Sequence, residues 1–98
     1  MLTISELVEL GFLRSHAQLL LQDNNFVLQI KNKNKAEFGA KINEICRVYG
    51  VSKEQATKAI FSSPQFAGLD HSRVLRGIID VYGVSKEQAT KAIFSSPQ

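Results

Sequence analysis

The chain has 98 residues, enough for one small domain, and folding a chain of this size removes only about two-thirds of its surface from water. Hydrophobic residues make up 44% of it, yet no apolar run approaches the roughly 18 residues of a membrane span, so the composition excludes a membrane helix, argues against disorder and fits a soluble helical protein. Twelve Lys and Arg against nine Asp and Glu leave a net charge of +3 and a pI near 9.2, a mild preference for polyanions that decides nothing alone.

Met1 to Phe12 carries Glu6 and Glu9 and no arginine, which excludes a secretory n-region and argues against an Arg-rich transit peptide. Thr3-Ile-Ser-Glu6 is a capping-box signature ahead of Leu7, Val8 and Leu10, and Gly11 supplies a left-handed stop, so a short helix is predicted over Ile4 to Leu10. Leu13, Ala17, Leu20 and Leu21 recur at helical spacing until the turn cluster Asp23-Asn-Asn25, which gives a second helix from Leu13 to Gln22. Phe26 to Ile30 is too short for its periodicity to separate an extended connector from a turn of helix, and Lys31-Asn-Lys-Asn-Lys35 follows as a polar loop.

From Lys35 the apolar positions Phe38, Ile42, Ile45 and Tyr49 mark a third helix that runs to Gly50 and is weakened by Gly39 near its start. The single cysteine, Cys46, shares this apolar register with Ile42 and Ile45; it forms no internal disulfide and reads as a small buried hydrophobe in an intracellular, reducing compartment. Bacterial cytoplasm, nucleus and organelle all fit. Ser52-Lys-Glu-Gln55 is a second capping box, opening a helix over Lys53 to Phe61 with Ala56, Ala59 and Ile60 on its inner face. Pro64 ends it, Gln65 to Leu69 is a turn carrying Phe66 and Leu69 inward, and Asp70 caps a helix from His71 to Tyr82 that Gly83 closes. Ser85 to Phe94 repeats the short helix.

Val48 to Gln65 returns without a change as Val81 to Gln98, so the chain is an array with a period of 33 residues. Laid on their glycines, Gly11, Gly50 and Gly83, the units run approximately 1–49, 50–82 and 83–98, the first divergent with its extra residues around Lys31 to Ala36, the last incomplete. Ile42, Ile45, Cys46 and Tyr49 match Leu75, Ile78, Ile79 and Tyr82, while Ala40, Asn43 and Arg47 face Arg73, Arg76 and Asp80; the core repeats and the outer face varies. The fold class expected is all-α, a short α-solenoid of helix-pair units that bury their apolar faces on one another. An unchanged copy includes solvent-facing residues, so either the outer surface is used repetitively or the duplication is recent.

A short helix opened by Gly-Val-Ser-x-Glu, a Ser-Pro-Gln-Phe turn, a brief connector with an aspartate and a longer helix ending in Tyr-Gly resembles the mitochondrial transcription termination factor (mTERF) repeat. The likeness covers Gly50 to Gln98 and, more loosely, Gly11 to Gly50, where Asn25 replaces the motif proline. It implies a solenoid of two helices and a short 3₁₀ turn per unit that binds double-stranded nucleic acid on a basic concave surface. The period, Val51-Ser-Lys-Glu-Gln55 and the terminal glycine are also similar to the transcription-activator-like effector (TALE) repeat, which would place base-reading residues at Ser62, Ser63, Ser95 and Ser96. Pro64-Gln65 stands where that family has paired glycines, so this resemblance ranks second.

Lys53 and Lys86 open helices, where a cation opposes the helix dipole by roughly 0.3 to 1 kcal/mol. With the caps Ser52 and Ser85 beside free N–H groups they suit phosphate; the bland alternative is a solvated lysine offset by Glu54 or Glu87. Lys58 and Lys91 are spaced to pair with Glu54 and Glu87, and Arg76 with Asp80, which leaves Arg73 the freer arginine. Lys31, Lys33, Lys35 and Lys41 form the densest basic patch, equally readable as a phosphate-binding or a solvated loop. His16 and His71 lie on different units without clustered ligands, and no P-loop, nucleophile elbow or carboxylate pair is present, so neither metal, cofactor nor catalysis is expected.

The sequence therefore points to a nucleic-acid-binding repeat module, DNA ahead of RNA, with a protein-interaction scaffold as the alternative class. Because the last unit stops after its short helix, Ala89, Ala92, Ile93 and Phe94 are expected to be left bare, and self-association through that end is expected with them.

Overall fold

In this computed structural model, which describes residues 1–95, side-chain caps open every α-helix but the one that starts at Arg14. The elements are α1 (Ile4–Glu9), α2 (Arg14–Leu20), α3 (Asn24–Ile30), α4 (Lys35–Tyr49), α5 (Lys53–Ser62), a 3₁₀ turn (Pro64–Gly68), α6 (His71–Tyr82) and α7 (Lys86–Ser95), with no strand among the described residues. Thr3 and Glu6, Ser52 and Gln55, and Ser85 and Gln88 each exchange the two hydrogen bonds of a capping box at 3.0–3.2 Å. A fourth box, Asn34 with Glu37 at 2.8 and 2.9 Å, opens α4 from inside the lysine loop. Gly50 and Gly83 close α4 and α6 at φ +67° and +62°, where a side chain would be strained.

The run whose periodicity is ambiguous, Phe26 to Ile30, is helical. Asp23 Oδ1 accepts the Phe26 N–H at 2.9 Å, so the polar cluster serves as an N-cap as well as a turn. The first unit's excess of six is a balance: α4 is three residues longer than α6 (15 against 12), α2 three shorter than α5 (7 against 10), and the stretch between short and long helix is six longer.

The packing joins like elements of the first two units. α4 lies on α6, and α3 on the 3₁₀ turn; α1 covers α2, α5 packs on α4 and on the 3₁₀ turn, and α7 packs on α6. The core begins with Phe12, Phe26 and Phe38, whose ring centroids stand 5.7 to 6.5 Å apart, and continues through Leu7, Leu20, Ile30, Ile42, Ile45 and Ile60, all at or below 2% exposure. Each such side chain contributes about 1.5 to 3 kcal/mol. Gly39, unfavourable for the helix, has a packing reason: a Cβ there would stand 3.1 Å from Leu10 Cδ2.

Several burial assignments change, inward and outward. Leu69 is exposed, because the 3₁₀ turn ends at Gly68 and extended backbone at Leu69 (φ −80°, ψ 151°) rotates its side chain off the face that Phe66 and Ala67 occupy. Cys46 is only partly buried at the margin of the α4 stripe. On α5, Thr57 is buried where Ala59 was expected, its hydroxyl donating to the Glu54 carbonyl at 3.1 Å. Of the four side chains expected bare, only Ala92 is exposed; Ala89 is 1% exposed, Ile93 and Phe94 are partly buried, and Phe94 sets its ring 5.1 Å from Tyr49 and 5.9 Å from Phe66. Tyr82 is the residue left out: it is 73% exposed where its counterpart Tyr49 is 4% exposed.

Candidate nucleic-acid interface

The helices α2, α5 and α7 each begin three residues after a glycine with positive φ, and each begins with a cation: Arg14 after Gly11, Lys53 after Gly50, Lys86 after Gly83. Reasoning from serine caps misses Arg14, because α2 is entered through Leu13, whose side chain caps nothing. The glycine alignment carries the signal, since the same offset from each glycine reaches all three. All three side chains are exposed, and none joins an ion pair among the described residues. A first-turn cation is unfavourable by roughly 0.3 to 1 kcal/mol. Glu54 and Glu87 offset it in α5 and α7, whereas the first turn of α2 has no acid.

The starts of α2 and α5 are neighbours. A Cβ on Gly11 would stand 3.6 Å from Cγ and Cδ of Lys53, so the lysine stem crosses the entry to α2. Phe12, Leu13, His16, Lys53 and Lys58 help to line a cleft of about 520 Å³ between the two helices. His16 stacks on Phe61 there, with centroids 3.7 Å apart and planes 5° from parallel.

The lysine-rich loop does not join this row. Lys31, Lys33 and Lys35 precede α4 and Lys53 follows it, so a helix of about 22 Å separates them. The loop faces the start of the chain instead, sharing a depression with Leu2, Glu6 and Glu37, and Lys35 pairs with Glu9 at 2.6 Å. Lys41 is engaged internally: its ammonium donates to the Leu69 carbonyl, lies 3.5 Å from Glu44 and is 17% exposed, tying α4 to the connector before α6. Arg73 sits in the first turn of α6, at the far end of that helix from Lys86. Lys58 pairs with Glu54 at 3.4 Å; the Lys91–Glu87 and Arg76–Asp80 pairs do not form among the described residues.

The serines of the TALE-like reading lie at the other end of the short helices. Ser62 and Ser95 are the last residues of α5 and α7, and Ser96 lies outside the described residues. Ser63 alone is in a loop, where its Oγ donates to Gln65 Oε1 at 3.3 Å and its carbonyl accepts the Phe66 N–H at 2.8 Å. Ser62 and Ser63 help to line a groove of about 370 Å³ whose opposite wall is Ile93 and Phe94 of α7.

His71 is fully buried and satisfied at both nitrogens. Nε2 stands 2.8 Å from the Phe66 carbonyl, which only accepts, so Nε2 carries the proton and Nδ1 accepts from the Tyr49 hydroxyl at 2.8 Å. Burial pulls the imidazole below its usual pKa, with Lys41 adding to it, against the opposing hydrogen bond to Phe66 and the charges of Glu44 and Asp70. Tyr49 is pushed up to about 12 by burial and by Glu44. Among the described residues no three His, Cys, Asp or Glu side chains converge as metal ligands, and no helix is long and apolar enough to cross a membrane.

No protein-family model, curated protein or solved structure matches the chain.

Proposed function

We propose that the chain is a short α-solenoid that binds nucleic acid, double-stranded DNA ahead of RNA, through phosphate contacts made once per unit. The observation that carries this reading is the row Arg14, Lys53 and Lys86: one exposed cation outside any ion pair among the described residues, opening the helix that begins three residues after each of the positive-φ glycines Gly11, Gly50 and Gly83. Charges placed where they oppose the helix dipole and rest on no salt bridge are poor stability devices and good phosphate ligands. The capping boxes occupy the N–H groups of Ser52, Gln55, Ser85 and Gln88, so the first-turn donors that would add to the cations are those of Lys53, Glu54, Lys86 and Glu87.

Two observations support the repeat reading: like elements of the first two units pack on one another, and Gly50 to Gly83 holds two helices and a 3₁₀ turn, as an mTERF-like repeat implies. The TALE-like alternative is disfavoured, since Ser62 is helical and Ser63 sits across a groove from α7. Lys31, Lys33 and Lys35, at the other end of α4, would form a second, weaker patch, and Arg73 lies apart from them beside Asp70, Arg76 and Asp80.

The test is an electrophoretic shift with double- and single-stranded DNA and RNA at two salt concentrations, for the wild type and for Arg14→Gln/Lys53→Gln/Lys86→Gln. The expected result is a shift strongest with duplex DNA, weakened evenly across sequences in the triple variant. The slope of log K against log salt should drop by about 0.9 for each phosphate that the variant no longer neutralises. No shift with any of the four, or a triple variant equal to wild type, overturns the proposal. A Lys31→Gln/Lys33→Gln/Lys35→Gln variant measures the second patch.

A further inference from the structure

The duplicated stretch provides two copies of one surface in different states. In the first copy the face between α4 and α5 is covered: Tyr49 is 4% exposed, Val48 8%, and Ile45, Ala56 and Ile60 are fully buried. In the second, between α6 and α7, Tyr82 is 73% exposed, Val81 76%, and Ile78, Val84 and Ile93 are only partly buried around a shallow cavity of about 490 Å³. The sequence of the copies is the same from Val48/Val81 onward, so the molecule itself displays what fits this surface.

The covered copy is filled by the segment that follows α5, and Phe94 of α7 closes over it with its ring 5.1 Å from Tyr49 and 5.9 Å from Phe66. Phe66 lays its ring 5.9 Å from Tyr49 at an interplanar angle of 23°, and His71, five residues later, places its ring 5.3 Å away and takes the Tyr49 hydroxyl on Nδ1 at 2.8 Å. Both rings belong to one turn, held together by the bond between His71 Nε2 and the Phe66 carbonyl. A tyrosine ring that stacks on the phenylalanine and a hydroxyl on that ring that meets the imidazole form a two-part recognition device.

We propose that the α6–α7 face, with Tyr82 at its centre, is a docking surface for a partner polypeptide carrying a turn of the Phe66–His71 kind, a phenylalanine followed five residues later by histidine. Tyr82 donates its hydroxyl to that histidine, and Ile78, Val84 and Ile93 receive the phenylalanine. This proposal is independent of nucleic-acid binding, whose cations lie at helix starts outside this face.

A tyrosine-free peptide with the sequence of residues 63–80 is titrated into the isotopically labelled full chain. The expected result is a set of amide and methyl shift changes at Ile78, Tyr82, Val84 and Ile93, saturable at millimolar peptide or below. Affinity should fall by about tenfold or more for Tyr82→Ala, whose exposed site leaves the fold intact, and for a peptide with Phe66→Ala and His71→Ala. The proposal is overturned if the face does not shift, or if it shifts equally with the doubly substituted peptide. It is also overturned if the same resonances move with protein concentration alone, which would make a second copy the occupant, or move only on addition of duplex DNA.

Discussion

Tyr49, His71 and the Phe66 carbonyl lock three elements with two buried hydrogen bonds, and every polar atom in that chain has a defined role. Because the folded state favours neutral His71, the unfolded chain binds the extra proton below the ordinary histidine pKa. Stability is therefore full above about pH 6.5 and falls as the pH drops, by at most about 1.4 kcal/mol per pH unit for one proton, until the folded pKa is passed. Denaturant titrations at pH 7.5, 6.0 and 5.0 should show this loss, and His71→Asn, less stable overall, should remove that part of the slope. Tyr49 acts in the opposite sense: its raised pKa stabilises below about pH 10, and that contribution is lost as the pH rises toward 12. Tyr49→Phe leaves Nδ1 without its donor and should cost about 1 to 3 kcal/mol at neutral pH. A second residue-scale contrast lies in the duplicated threonines. Thr57 donates to the Glu54 carbonyl, whereas the Thr90 hydroxyl is buried without a partner among the described residues. Thr90→Val should be neutral or stabilising and Thr57→Val destabilising by about 1 kcal/mol, as read from denaturation midpoints.

At the scale of elements, α3 depends most on a single residue. Its seven residues hold no strong helix-forming run, and it is fixed by the Asp23 cap and by Phe26 and Ile30 packing toward the 3₁₀ turn. Asp23→Ala should lower stability by about 0.5 to 2 kcal/mol and raise amide exchange across Asn24 to Ile30 more than across α4. α4 should be insensitive, having its own Asn34–Glu37 box. Exchange rising equally in both helices would show that α3 does not open separately.

At the scale of the molecule, α5 and α7 share every residue yet occupy different surroundings. α5 is enclosed by α4 and the 3₁₀ turn, with Phe61 stacked on His16; α7 rests on α6, with Phe94 reaching Tyr49 and Phe66. Amide exchange should therefore be slow in Ala56 to Ile60 and faster in the corresponding residues Ala89 to Ile93, although intrinsic rates for the two stretches are the same. Equal protection would mean that α7 is as firmly held as α5, which the exposure of Tyr82 beneath it argues against.

The sequence by itself determined most of the secondary structure, α3 excepted, whose apolar run is too short to show a period: capping boxes at Thr3, Ser52 and Ser85, left-handed glycines at Gly50 and Gly83, the proline stop at Pro64 and the apolar register of α4 are local signals, each satisfied within a few residues. It also displayed the repeat and the first-turn lysines. Only the tertiary structure decided which surfaces are covered. Identical stretches cannot differ in local propensity, so Tyr49 buried against Tyr82 exposed, and Thr57 bonded against Thr90 unbonded among the described residues, follow from what the rest of the chain brings to each. The same applies to the candidate interface. That the Lys41 ammonium is taken by the Leu69 carbonyl and that Lys53 crosses the entry to α2 depend on contacts between residues far apart in sequence, which no local pattern encodes.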